Sequence, residues 1–223
     1  MSTLGFGMGN YKDAKLELLA DKGNGNYAYI DNLTEAKKVM VKEMGANFTT
    51  VAKDVKLQAV FNPDVVEEYR LIGYENRVME NEDFEDDTKD AGEIGSGHTV
   101  TALYEVKMTD GYKNGNPPDI TDPTAESMVD REWMILNIRY KEPEGKKSTE
   151  LSYRCSDGNY SETPSGDLSF AMAVAEFGMI LKNSPYKGEG SLDQVLQLAK
   201  QTDTSKDMYK SEFVKLVNTV ASR

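Results

Sequence analysis

The 223-residue sequence predicts an α+β fold, an antiparallel β-sandwich-like core with C-terminal helices, preceded by a βαβα segment. Three observations predict it. Short strand-like and helix-like runs alternate over residues 1–45. Period-two alternation then recurs between about 50 and 160 with no helical pattern between the strands. Helical periodicity takes over from about 165 to 222. The predicted domains are residues 1–45 and residues 46–223.

In the first segment, "STLGFG" reads as a strand entering a glycine-rich loop, and the stretch from Tyr11 carries Ala14, Leu16, Leu18, Leu19 and Ala20 as a helix. "DKGNGN" stops that helix, with Gly23 or Gly25 able to take a left-handed conformation. "YAYI" follows as a buried strand. Asp31 or Asn32 then caps a helix bearing Leu33, Ala36, Val39, Met40 and Met44. Strand, helix, strand, helix is the order of a parallel sheet covered by helices, yet two strands are too few to form a stable one.

From Lys53 the period changes to two. Val55, Leu57, Ala59 and Phe61 alternate with Lys56, Gln58 and Val60, and the run ends at "NP". "EYRLIGYEN", "HTVTALYEVKM", "REWMILNIRY" and "STELSYRC" read as further strands, with Val100, Ala102, Tyr104 and Val106 predicted to face inward. Two polar links, "ENEDFEDDTKDAGEIGSG" and "TDGYKNGNPPDITDPTAES", are expected to be exposed and mobile. Beyond them, "LSFAMAVAEFGMIL" is apolar on nearly every side and is predicted to be the most buried element. "SLDQ" at Ser191 to Gln194 is a capping box for the next helix, whose stripe is Leu192, Val195, Leu196 and Ala199. The last helix repeats the spacing with Tyr209, Phe213, Leu216, Val217 and Val220.

Composition narrows the chemistry. The net charge of -12, from 38 acidic and 26 basic residues, argues against a nucleic-acid backbone or an anionic lipid surface as partner. No apolar run is long enough to span a membrane. Cys155 is the one cysteine, so the chain forms no internal disulfide and no cysteine-rich zinc site. His98 is the one imidazole, so any Cys/His dyad or serine triad must be built on it.

Two motifs bear on ligands. "GFGMGN" places Gly5, Gly7 and Gly9 between a strand and a helix, but its spacing fits neither the dinucleotide fingerprint nor a P-loop, and a tight turn accounts for it. The acidic loop 80–93 gathers Glu80, Glu82, Asp83, Glu85, Asp86, Asp87, Asp90 and Glu93. That is enough oxygen for Ca²⁺, but the run lacks the EF-hand register and reads as solvated. No catalytic, cofactor-binding or metal-ligating residue is assigned.

Long stretches of this chain resemble a bacterial family. "STLGFGMGNYKDAKLELLADKGNGNYAYIDNLTEAKKVM" is similar to the end of the von Willebrand factor type A domain in exported bacterial proteins. "AKDVKLQAVFNPDVVEEYRLIGYENR", "DFEDDTKDAGEIGSGHTVTALYEV" and "FAMAVAEFGMILKNSPYKG" resemble the domain of unknown function that follows it. The resemblance implies that residues 1–45 are a remnant of a Rossmann-like A domain whose metal-ion-dependent adhesion site lies upstream, so that this chain is expected to be a truncated fragment lacking it. It also implies location at the cell envelope, periplasmic or surface-exposed. The expected function is a non-enzymatic accessory module in protein-protein contact or adhesion, with no cofactor, an unidentified protein partner and homodimerisation through residues 1–45. The alternatives are a hydrolase using the acidic loop 80–93 or His98, and a calcium-stabilised structural module.

Overall fold

The structure is a computed structural model that describes residues 2–7, 12–23, 25–45, 49–74, 77–113 and 132–222. It is a mixed α/β protein with antiparallel sheet and helices, divided into two compact units. The first comprises Met1–Glu67, Asn76–Thr101 and Met108–Asp157. The second comprises Glu68–Glu75, Ala102–Lys107 and Gly158–Arg223.

At the start of the first unit, β1 (Thr3–Phe6) pairs in parallel with β2 (Tyr27–Ile30), joined through α1 (Asp13–Lys22). Gly23 ends α1 by donating to Leu19 O and Ala20 O at a negative φ, so the predicted left-handed stop is not used there. Asn32 caps α2 (Leu33–Lys37), its side chain accepting from the Thr34 and Glu35 amides, and a single π-helical turn, Lys38–Lys42, continues it. Of the predicted stripe only Val39 is buried, while Leu33 is 81% and Met40 53% exposed. Two short strands offer too little surface to cover a helix face.

The main sheet has the order β5-β3-β7-β8 and is antiparallel throughout, formed by β3 (Thr50–Phe61), β5 (Gly92–Gly95), β7 (Glu132–Lys141) and β8 (Thr149–Ser156). Its register separates two faces. One carries Leu57, Ala59, Phe61, Met134, Leu136, Ile138, Tyr140, Leu151, Tyr153 and Cys155, with no charge among them. The other carries Lys56, Gln58, Val60, Ile135, Asn137, Arg139, Lys141, Glu150, Ser152 and Arg154. A polar ladder crosses this second face, Ser152 donating to Asn137 and Asn137 to Gln58.

Burial reverses what alternation predicts. Lys56 is 3% exposed, whereas Leu57 is 45% exposed, because the acidic loop 80–93 lies on the charged face. At Asp54, whose φ is +51, β3 bulges between the Lys53–Lys141 and Lys56–Arg139 pairs.

β4 (Val66–Ile72) pairs with β6 (Leu103–Met108) as a separate two-stranded sheet, most of it in the second unit. The predicted strand from Thr99 begins only at Leu103. Lys107 bonds Glu68 and Arg70 bonds Glu105, so β6 exhausts its partner where Gly73 and Tyr74, both at positive φ, end β4. Val100 and Ala102 are exposed, Val106 is partly exposed and Tyr104 is half-buried, which corrects the predicted inward face.

Three helices complete this unit: α3 (Gly166–Leu181), α4 (Leu192–Ala199) and α5 (Met208–Ala221). Their core is Ala173, Phe177, Val195, Ala199 and Val217, with Phe213 making edge-on ring contacts to Phe170 and Phe177. Ser191 accepts from the Gln194 amide as the capping box predicts. The expectation that α3 is the most buried element is corrected. It buries one face through Ser169, Ala173, Glu176 and Phe177, and leaves Leu168, Val174 and Leu181 exposed.

Candidate functional site

The acidic loop is built into the sheet. Residues Asn81–Asp83 make a 3-10 turn that leads to the buried ring of Phe84. The Lys56 ammonium donates to Asp83 O at 2.8 Å and to Asp86 O at 2.5 Å. Lys141 donates to Asp87 O at 2.7 Å and to Asp54 Oδ2 at 2.6 Å. Arg139 reaches Asp87 Oδ1 at 3.1 Å, and Ser148 donates to the same oxygen. Both lysines lie on the charged face, and burying them is tolerable only because each ammonium is hydrogen-bonded.

The loop's own side chains are similarly engaged. Asp83 pairs with Lys89 at 2.9 Å, Asp86 accepts from Thr88 N and Oγ1, and Glu93 accepts from Thr50. The Ser148 hydroxyl, with Arg139 beside it and burial opposing, brings the Asp87 carboxyl down to about 2. Burial pushes Asp54 upward, but the Lys141 hydrogen bond and charge prevail and hold it below the usual carboxylate range. Among the described residues, no group of three or more His, Cys, Asp or Glu side chains is placed to hold a metal ion. The expected link is exposed at most of its positions, but it is a strap tied down by cations from β3 and β7. The second expected link falls mainly on residues 114–131, outside the described residues.

His98 follows β5 and lies at a cavity of about 460 Å³ within the first unit. Ser96, Thr99, Asn26, Lys42 and Glu43 share its lining. His98 N donates to Gly95 O, and Gly97 at φ +79 makes the turn. The cavity lies by Ser2 and Asn26, the entry side of the parallel strands, whereas open parallel sheets take ligands at the strands' carboxyl ends.

Cys155 stands far from this cavity. Gly95 pairs with Thr50 at one end of β3, while Cys155 pairs with Met134, which pairs with Phe61 at the other end. At a rise of about 3.3 Å per residue the intervening strand spans on the order of 30 Å, so the two form no dyad. Of "GFGMGN", Gly5 and Gly7 are described and Gly9 lies outside the described residues. Gly7, at φ +89, accepts from the Tyr29 hydroxyl at 2.6 Å through its carbonyl, which ties this turn to β2.

Sequence reasoning missed Lys56, Arg139 and Lys141. Their signal was two lysines and an arginine in strands otherwise rich in apolar residues, but nothing local linked them to acids dozens of positions away.

No helix of the described residues is long and apolar enough to cross a membrane. Among known proteins, residues 46–222 match the family model "Uncharacterized protein YfbK, C-terminal". The chain is 40% identical over 225 residues to "Uncharacterized protein YfbK" of Escherichia coli strain K12, covering 97% of this chain and 38% of that protein. The crystal structure of the ArnB paralog VWA2 from Sulfolobus acidocaldarius is similar with a TM-score of 0.47 and 17% identity, over 96% of this chain and 50% of that one. With the family match extending over most of its length, the chain belongs to the YfbK C-terminal family.

Proposed function

We propose that this chain is a non-enzymatic protein-interaction module of a bacterial von Willebrand factor A domain protein at the cell envelope. Residues 1–45 act as the end of the A domain and residues 46–223 as the domain after it, a sandwich-like core with helices. One observation carries the reading: the parallel β1–β2 segment and its helices leave Phe6, Leu33, Met40, Val41 and Met44 exposed. Parallel strands are normally covered on both faces, so this surface suits packing against further protein, whether the rest of an A domain, a separate partner or a second copy through residues 1–45. The resemblance of residues 2–40 to the end of an A domain supports the same assignment.

The test is affinity capture from envelope fractions with the 223-residue chain and with F6D/L33D/V41D. Loss of the captured proteins with the variant supports the reading, and equal capture overturns it. A second reading, a hydrolase using His98, draws on the cavity around that residue. Turnover of an ester or amide panel by the wild-type chain but not by H98A would favour it over the first.

A further inference from the structure

Among the described residues β8 is the outer strand of the main sheet, and Thr149 to Arg154 are all exposed along it. Protein edges are usually blunted by proline, lysine, bulges or brevity. This edge is eight residues long, "TELSYRCS", with no proline, glycine or lysine, and its pairing with β7 is regular from Thr149 to Cys155. The residues around Ser152 have a mirror pattern: Glu150, Leu151, Ser152, Tyr153, Arg154, or acidic, apolar, polar, apolar, basic. A strand with that pattern complements itself when run antiparallel.

We infer that β8 pairs with β8 of a second copy of this chain, antiparallel, about a twofold axis at Ser152. In that register Glu150 stands opposite Arg154 of the second copy, twice over, and Leu151 stands opposite Tyr153 of the second copy, also twice. Directly opposed residues share a sheet face, so both charge pairs fall on the Asn137 face and both apolar pairs on the face of Leu136 and Ile138. The two sheets become one of eight strands. Their uncharged faces join across the axis.

The charges have capacity for this. Arg154 bonds Glu132 at 2.6 Å and Glu150 lies 3.7 Å from Arg139, yet the Arg154 and Glu150 side chains are 46% and 47% exposed. A strand from an unrelated protein would meet the backbone edge equally well but has no reason to match the charge pattern, which selects a second copy. The contact lies outside residues 1–45 and does not depend on the functional reading above.

Sedimentation of the 223-residue chain tests it. The wild type is expected to form a concentration-dependent dimer. R154E and E150R each oppose like charges twice and are expected to raise the dimer dissociation constant roughly tenfold or more, and E150R/R154E restores dimerisation. F6D/L33D/V41D stays dimeric, which separates this contact from one through residues 1–45. Because R154E also disturbs Glu132, S152C in a C155S background supplies a second readout that leaves both charges intact. Opposed residues lie about 5 Å apart at Cα, within reach of a disulfide, so mild oxidation yields a covalent dimer. A wild type that is monomeric at all concentrations overturns the inference. So does a dimer that withstands both single reversals and gives no covalent product when S152C/C155S is oxidised.

Discussion

The buried ammonium of Lys56 holds Asp86 by its backbone carbonyl, at 2.5 Å, and leaves the Asp86 carboxylate to Thr88. The acidic loop is thus fastened through its main chain, and its acidity is partly incidental to the fastening.

Replacing Lys56 with Met leaves two carbonyls, of Asp83 and Asp86, without their donor. The expected loss is about 3 kcal/mol in urea unfolding followed by the single tryptophan, Trp133. D86N should be mild by comparison, because an amide oxygen still accepts from Thr88. Equal losses would contradict the main-chain fastening.

The Asp87 carboxyl falls from 3.8 to about 2 through Ser148 and Arg139. A carboxyl held below its unfolded value contributes stability that is full above that value and is lost as pH falls through the folded one. The wild-type urea midpoint should therefore drop between about pH 4 and pH 2, and D87N should flatten that part of the profile. An unchanged slope in D87N would count against this assignment.

Glu176 behaves in the opposite sense. Burial raises its carboxyl while the Ser191 amide, donating at 3.2 Å, partly offsets the effect. Its ionised form therefore costs stability above the folded value, and that cost is relieved as pH falls through it. E176Q, which still accepts from Ser191, is expected to raise the urea midpoint at neutral pH. E176A, which cannot accept, is expected to lower it.

Millimolar Ca²⁺ should leave the thermal midpoint of the wild type unchanged, since Asp83, Asp86, Asp87 and Glu93 are committed to Lys89, Thr88, Arg139 with Ser148, and Thr50. A calcium-dependent rise that disappears in D83N/D86N/D87N/D90N would favour the calcium-stabilised alternative.

Gly190 has no space for a side chain. A Cβ there would stand 2.8 Å from Lys187 O and 2.9 Å from Glu176 Oε1. G190A should cost about 2 kcal/mol by forcing the turn before α4 to move, as measured by chemical denaturation.

Features set by near neighbours were legible in the sequence. The Ser191 to Gln194 capping box, the Asn32 cap and the period-two runs of β3, β7 and β8 involve residues a few positions apart. The covered face was not legible. Alternation says that Leu57 and Lys56 point opposite ways, and hydrophobicity then buries Leu57, but Lys56 is buried by carbonyls 27 and 30 residues away. The start of β6 was hidden for a related reason. Val100 has the right period, but a strand lasts only as long as its partner, and β4 ends at Gly73 and Tyr74. At the candidate sites, composition identified the acids of 80–93 but not the cations they meet, which come from two strands far apart in the chain.

The bulge at Asp54 works as an index notch for the sheet. A slide of β3 by one residue along β7 would turn every side chain of β3 over and part Lys141 from the Asp54 carboxylate. A misaligned pairing would therefore bury the Lys141 ammonium without the Asp54 carboxylate, which disfavours it against the native register. The error correction is carried by Asp54 and Lys141, residues that an inspection for catalytic groups would pass over.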